Sequence, residues 1–168
     1  MAFLNINGAI VADTVYVENV LSAKDVEVTF PEITPMMAEI EAMGTMSLPI
    51  WNRLENMLLT VTKIGLDKGL GAMLKAALKT MEFRFPQQTV DQNGNVKVVA
   101  CKAFVKCMPN SIPGIGIVPG ETSSNETNHT VTRYQMFIDG EEAWLIDRLA
   151  GIVRIGGVDY AKEVQSML

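Results

Sequence analysis

Apolar and polar residues alternate along several short stretches of the chain, a pattern that predicts β-strands. Residues 26–30 (VEVTF) alternate with period two, and residues 54–63 do so less cleanly. In residues 36–42, Glu39 and Glu41 share one face, and the other face carries Met36, Ala38, Ile40 and Ala42. Prolines punctuate these runs, so the strands are expected to be short.

The period changes in residues 66–78 (LDKGLGAMLKAAL), which predicts a helix. One stripe of this helix would carry Leu66, Leu70, Met73, Leu74, Ala77 and Leu78. Asp67 lies near its start, where a carboxylate stabilises the first turn. Two glycines weaken the pattern, so a short helix is expected.

Strand patterns return from residue 79. Residues 79–85 alternate, and residues 91–95 (DQNGN) contain an Asn-Gly pair, which favours a tight hairpin. The second strand of this hairpin is predicted over residues 96–107. One face of that strand carries Val99, Cys101, Ala103, Val105 and Cys107, and Lys102 and Lys106 share the other.

Residues 108–128 are rich in proline and glycine and predict a long loop. Strands are expected at 129–138, 143–147 and 152–155, with a tight turn at Asp139-Gly140. A short terminal helix is expected after Gly156-Gly157, with Asp159 near its start.

These elements predict one domain over residues 1–168, with an N-terminal arm at 1–14. The fold class is mainly β: an antiparallel sandwich or barrel of about seven strands, with one short flanking α-helix and a short C-terminal helix.

The composition excludes several functional classes. The net charge is −5 over 168 residues, which argues against a nucleic-acid-binding protein, since nucleic-acid-binding surfaces need basic patches. The N-terminus lacks a signal-peptide pattern, and no apolar stretch is long enough to span or anchor in a membrane, so a cytoplasmic site of synthesis is expected. Cys101 and Cys107, on one strand, would have Cα atoms roughly 20 Å apart, too far for a disulfide.

The sequence contains few candidates for catalytic or metal-binding residues. His129 is the single histidine, and no set of zinc ligands can be built around it. No catalytic residue, cofactor site or metal site is predicted. Glu39 and Glu41 share a strand face and leave open a hydrolase that uses paired carboxylates, although a solvated face explains them more simply.

Strands 54–63 and 96–107 carry apolar residues on both faces, which an isolated domain would expose to water. The simplest explanation is that these faces are buried against copies of the same chain. A monomeric β-barrel that binds a small apolar ligand is the alternative.

The C-terminal stretch from Tyr134 to Asp159 supports self-association. It reads as an aromatic strand, an Asp-Gly turn with acidic neighbours, an Ile-Asp step and a Gly-Val-Asp opening of the last helix. This order resembles the major tail tube proteins of contractile-tailed phages and R-type bacteriocins, with Gly156 where an Asn is common. The hairpin through Glu39 with Gly44 at its tip also agrees, and a type VI secretion tube protein fits less well.

The resemblance implies a structural subunit of the inner tube of a contractile tail. Hexameric rings would stack into a hollow conduit, with hairpins of all subunits joined in one β-barrel around the lumen. Its implied partners are further copies of itself, the tail sheath, tape measure, baseplate and tail terminator proteins, and phage DNA in transit without specific binding. The tube would serve DNA passage in a phage or membrane puncture in a bacteriocin particle. The implied location is the virion tail, with assembly in the host bacterial cytoplasm.

The same resemblance implies roles for particular residues. Glu39 and Glu41 are the first candidates to line an acidic lumen, and Glu55 is the third. Lys102 and Lys106 would face neighbouring subunits or the sheath. The assembly and turn candidates are Tyr134, Asp139, Gly140, Ile146, Asp147, Gly157, Val158 and Asp159.

Overall fold

A computed structural model describes residues 5–168, which form fifteen strands and two short helices. In chain order these are β1 (Ile6–Ile10), β2 (Thr14–Val17), β3 (Val20–Lys24), β4 (Glu27–Thr29), β5 (Pro35–Glu41), β6 (Thr45–Leu54), β7 (Leu58–Ile64), α1 (Lys68–Met73), β8 (Lys79–Arg84), β9 (Gln87–Val90), β10 (Val96–Val99), β11 (Cys101–Pro109), β12 (Ser124–Ile138), β13 (Glu141–Asp147), β14 (Ile152–Ile155), β15 (Val158–Asp159) and α2 (Lys162–Gln165).

The main sheet is antiparallel and runs in the order β15-β14-β13-β12-β11-β8-β2-β3. Its long strand β12 pairs through its first half with β7, which also pairs with β4, and through its second half with β13. Side chains of β7 pack in the same core as those of β8 and β11, so the sheet doubles over as a sandwich. The described part of the sheet ends at β3 and β15, which do not pair with each other. Of the two predicted folds, the structure is therefore a sandwich and not a closed barrel.

The alternating pattern predicts the core correctly. Met81 and Phe83 of β8 are buried, as are the inward residues of β11, while Lys102 and Lys106 point outward. Phe30 stacks on Tyr134 with ring centroids 5.7 Å apart and meets Phe83 edge-on at 5.2 Å. Aromatic pairs of this geometry add stability beyond their buried area.

The helix α1 is shorter than the predicted 66–78. It begins after Asp67, whose Oδ1 accepts the N–H of Leu70 at 2.9 Å, a typical N-cap. Gly69 allows α1 to lie against β3, because a Cβ there would fall 1.8 Å from the Ser22 carbonyl oxygen. The helix ends at Met73, and β8 begins at Lys79.

Several predicted boundaries were wrong. The strand predicted at 96–107 divides at Ala100, where the chain leaves β9 and begins to pair with β8 and β12. The strand predicted at 54–63 is interrupted between Leu54 and Leu58. The loop predicted at 108–128 is shorter, because residues 124–128 continue β12 along β7 and Pro109 pairs with His129.

The predicted N-terminal arm at 1–14 contains strand β1, and residues 1–4 of it lie outside the described residues. Strand β1 belongs to a small sheet in the order β1-β9-β10, and β5 and β6 form a separate two-stranded hairpin. Among the described residues there are therefore two small sheets beside the main one.

Candidate assembly surfaces

The hairpin of β5 and β6 has two chemically different faces. Directly opposed residues of an antiparallel pair share a face, and the register pairs Met36 with Ile50, Ala38 with Leu48 and Ile40 with Met46. One face, called here the apolar hairpin face, therefore carries Met36, Ala38, Ile40, Met46, Leu48 and Ile50.

The apolar hairpin face is open to solvent. Met36 and Met46 are 47% exposed, Ile40 is 42% exposed and Leu48 is 41% exposed. Every residue from Met36 to Pro49 except Ala38 is exposed. An isolated two-stranded ribbon is marginally stable in water, and a contiguous apolar face of this kind marks an interaction surface.

The opposite face carries the predicted carboxylates. Glu39 lies opposite Ser47 and Glu41 opposite Thr45, and both carboxylates are exposed. Within residues 5–168 neither has an ion-pair partner within 4.0 Å. Glu55, the third candidate, is also exposed but follows β6, where its N–H donates to the Thr34 carbonyl oxygen at 2.8 Å. The structure thus places Glu39 and Glu41 together and Glu55 at the hairpin base.

The hairpin tip holds an unusual residue. Three residues, 42–44, connect the paired Glu41 and Thr45, and within this loop Met43 has φ +55° and Gly44 has φ +119°. Positive φ is costly for a residue with a Cβ, and the Met43 side chain is fully exposed. The Gly at the tip was anticipated from the sequence, whereas Met43 was not.

The Asp-Gly turn and the Ile-Asp step of the C-terminal unit have clear local roles. Asp139 (φ +52°) and Gly140 (φ +79°) form the tight turn between β12 and β13. Asp147 Oδ1 accepts the N–H groups of Leu149 and Ala150 at 3.1 and 3.0 Å. The Asp147 carboxylate thereby fixes the turn that leads into β14.

The prediction that the Gly-Val-Asp element opens the last helix was wrong, because Val158 and Asp159 form β15 and α2 begins at Lys162. The element instead fixes a turn. Gly157 has φ +84° in the turn before β15, and Val158 is 55% exposed. Asp159 Oδ1 accepts the N–H of Ala161 at 3.0 Å and that of Val153 at 3.4 Å. This carboxylate ties the start of the terminal segment to β14.

Tyr134 and Ile146 belong to the core. Ile146 is completely buried, and Tyr134 is 2% exposed, so burial raises the pKa of its phenol. Their contribution is packing inside the subunit. A role for these residues, and for the turn residues, in contacts between subunits stays a prediction.

The lone histidine is a core residue. His129 is completely buried, and its Nε2 lies 3.0 Å from Thr127 Oγ1. Burial lowers its pKa to about 4, with a further contribution from Lys79. Cys107 is equally buried, and burial raises the pKa of its thiol to about 11, so it is a poor nucleophile at neutral pH.

Between residues 5 and 168, no cluster of three or more His, Cys, Asp or Glu side chains is placed to hold a metal ion. No helix in that same span has the length and apolarity to cross a membrane.

Sequence reasoning missed half of the apolar hairpin face. Strand β6 contributes Met46, Leu48 and Ile50. The resemblance implied a second hairpin strand after Gly44, but Pro49 interrupts the local pattern, and these side chains were not assigned to a face. Proline is tolerated in strands at sheet edges, and β6 is such an edge strand. The alternation of Met46, Leu48 and Ile50 around Pro49 was the available signal.

Comparisons with known proteins address the sequence and the fold of this chain. The sequence profile described as phage tail tube protein FII matches residues 9–168. No curated protein matches the chain significantly by sequence.

Three solved structures share the fold. A chain of the PVC sheath-tube complex, an extracellular contractile injection system in its extended state, has a TM-score of 0.57 at 12% identity and covers 78% of this chain and 91% of that chain. The sheath/tube terminator of the same system gives 0.56 at 13%, with 77% and 95% covered. The tube-terminating cap of the anti-feeding prophage gives 0.60 at 10%, with 82% and 95% covered.

Proposed function

Because the chain belongs to the phage tail tube protein FII family, we propose that it builds a tail tube from rings of six subunits that stack around a hollow lumen. The structural role as a tail tube subunit follows from the family. The ring, its lumen and its cargo are the proposal.

The observation that carries the proposal is the hairpin, whose one face is apolar and whose other face, here called the acidic face, carries Glu39 and Glu41 beside Met37 and Pro49. In a single subunit its apolar face is exposed and both outer edges are unpaired within the described residues. A ring of subunits would pair these edges and cover the apolar face. Assembly would therefore leave neither an unpaired strand edge nor an exposed apolar surface on the hairpin. The acidic face would then be left toward the lumen.

An acidic lumen suits a conduit for DNA. DNA carries about one negative charge per 1.7 Å of axis, so carboxylates repel it and prevent it from adhering to the wall. Six-fold symmetry would repeat Glu39 and Glu41 around each ring. In a phage the tube would pass DNA without specific binding, and in a bacteriocin particle the same tube would puncture a membrane.

The outer face of the main sheet is the proposed surface for the sheath. Lys102 and Lys106 are exposed there, and within residues 5–168 no carboxylate lies within 4.0 Å of either. Phe104 lies between them and meets Phe137 edge-on at 5.8 Å. The similar solved chains come from a sheath-tube complex, a terminator and a cap, so we place sheath and terminator proteins among the partners. Tape measure and baseplate proteins would contact the tube ends and interior.

Sedimentation velocity and negative-stain electron microscopy of the purified protein over a range of concentrations test this function. The expected result is concentration-dependent formation of rings or tubes. A species that stays monomeric at every concentration, with no tubes in the native particle, would contradict it.

A further inference from the structure

We propose that the outer edge of β9 is a docking edge for strand β5 of a second copy, and that β1 covers this edge until assembly. The inference rests on the proposed tube function. It adds a specific strand exchange: the subunit's own β1 leaves β9, and the neighbour's β5 takes its place.

Strand edges determine where a neighbour can add. Among the described residues β5, β6 and β10 each pair on one side only, whereas β9 pairs with β10 on one side and β1 on the other. An uncovered edge presents unpaired N–H and C=O groups to any extended strand. Strand β1 is thus the one element that keeps an edge of the β9-β10 hairpin closed in this part of the chain.

Strand β1 is weakly held. All five of its residues are exposed, with Ile6 at 73% and Ile10 at 52%. Its sequence, INGAI, contains three residue types that are depleted in strands. Its register with β9 shifts between Asn7 and Ile10, while β10 pairs with β9 over four consecutive residues. Side-chain packing therefore adds little to β1, and mainly backbone hydrogen bonds hold it.

The family match includes both strands of the proposed new pairing. It begins at residue 9 and covers all of β5 and β9, and β1 enters it with its last two residues, Ala9 and Ile10.

Strand β5 fits the vacated edge better than β6. From Met36 to Glu41, β5 contains no proline, so each backbone N–H that points away from β6 can donate to a new neighbour. Strand β6 contains Pro49, which has no N–H and belongs on a solvent-facing edge. The seven residues of β5 are also enough to span the four residues of β9.

A reversible lock tests the exchange. Ile6 and Val90 are directly opposed on the β1-β9 ladder, a geometry within reach of a disulfide, so the variant is Ile6→Cys with Val90→Cys. The native Cys101 and Cys107 are buried and should not compete. The matched control is Thr14→Cys with Lys24→Cys, which joins the opposed residues of β2 and β3, two strands that need not separate.

The oxidised Ile6/Val90 variant should assemble roughly tenfold less than its reduced form in sedimentation assays, and the control should assemble equally in both states. Equal assembly of the locked and reduced forms would overturn the proposal. Failure of the disulfide to form in the free subunit would overturn it as well, because β1 would not lie on β9. Failure of the wild type to assemble would instead contradict the tube function itself.

The identity of the added strand has its own test. Val90→Cys is combined with a cysteine at each position from 36 to 41 in turn, and assembled tubes are oxidised. Intermolecular disulfides at one or two of these positions are expected, since only matched residues of neighbouring strands lie close enough. Tubes that yield no such cross-link at any of the six positions would exclude β5 as the occupant.

Discussion

Replacing Leu48 with glutamine should abolish assembly while it leaves the subunit folded. Leu48 lies on the apolar hairpin face and is 41% exposed in the single subunit. Its neighbour Ser47 lies on the acidic face, opposite Glu39. The pair Leu48→Gln and Ser47→Gln therefore introduces the same side chain at adjacent positions on opposite faces.

The size of the effect follows from the exposure. Full burial of a leucine contributes about 1.5–3 kcal/mol, so burial of the remaining 41% contributes about 0.6–1.2 kcal/mol to an interface. A glutamine loses this term and buries an amide, which costs about 1–3 kcal/mol when its hydrogen bonds are not replaced. The total of about 2–4 kcal/mol per contact weakens association roughly 30- to 700-fold.

The assay is sedimentation velocity over a concentration series, with circular dichroism to check the fold. Both variants should unfold within about 0.5 kcal/mol of the wild type, as exposed substitutions usually do. Ser47→Gln should assemble at wild-type concentrations and Leu48→Gln should remain monomeric. Tubes from Leu48→Gln at the same concentration as Ser47→Gln would refute burial of the apolar hairpin face between subunits.

Three further changes test other parts of the account. Gly69→Ala should destabilise the subunit by about 1–3 kcal/mol in urea unfolding, since the new Cβ would meet a backbone oxygen of β3. Gly71→Ala, with open space around it, should not destabilise the subunit. Equal effects of the two substitutions would count against close packing of α1 on β3. Burial lowers the pKa of His129 to about 4 from about 6.5 when unfolded, so only the unfolded chain takes up a proton in this window. The free energy of unfolding should therefore fall by about 3 kcal/mol from pH 6.5 to pH 4 because of this group, and a His129→Gln variant that shows the same pH dependence as the wild type would disprove this. Changing Glu39 and Glu41 together to lysine should leave assembly intact but make the tubes retain short DNA duplexes at low salt and release them at high salt. Tubes of this variant that bind no DNA at any salt concentration would show that these side chains do not line the lumen.

Period-two alternation was enough to predict the inward residues of β8 and β11, because one face of each strand is buried and the other faces solvent. It failed where strands are exposed on both sides. Strand β1 has no buried face, and its five residues carry no alternating signal. Strand β6 contains Pro49, which suggests a break in a sequence but is compatible with an edge strand.

The candidate site shows the same division. The shared face of Glu39 and Glu41 follows from their spacing alone, and the structure keeps it. The roles of Asp147 and Asp159 depend on which backbone N–H groups the turns bring near their carboxylates, and the sequence does not specify those contacts. The pairing of β1 with β9 joins residues about eighty positions apart in the chain, so local patterns could not reveal it.

A cryo-electron microscopy reconstruction of the assembled protein is the most direct test of the tube proposed here. It should show six-fold rings in which the β5-β6 hairpin forms part of the inner wall, with Glu39 and Glu41 toward the lumen and the apolar hairpin face covered by protein. A reconstruction with this hairpin on the outside of the tube, or with its apolar face still exposed to solvent, would contradict the central claim.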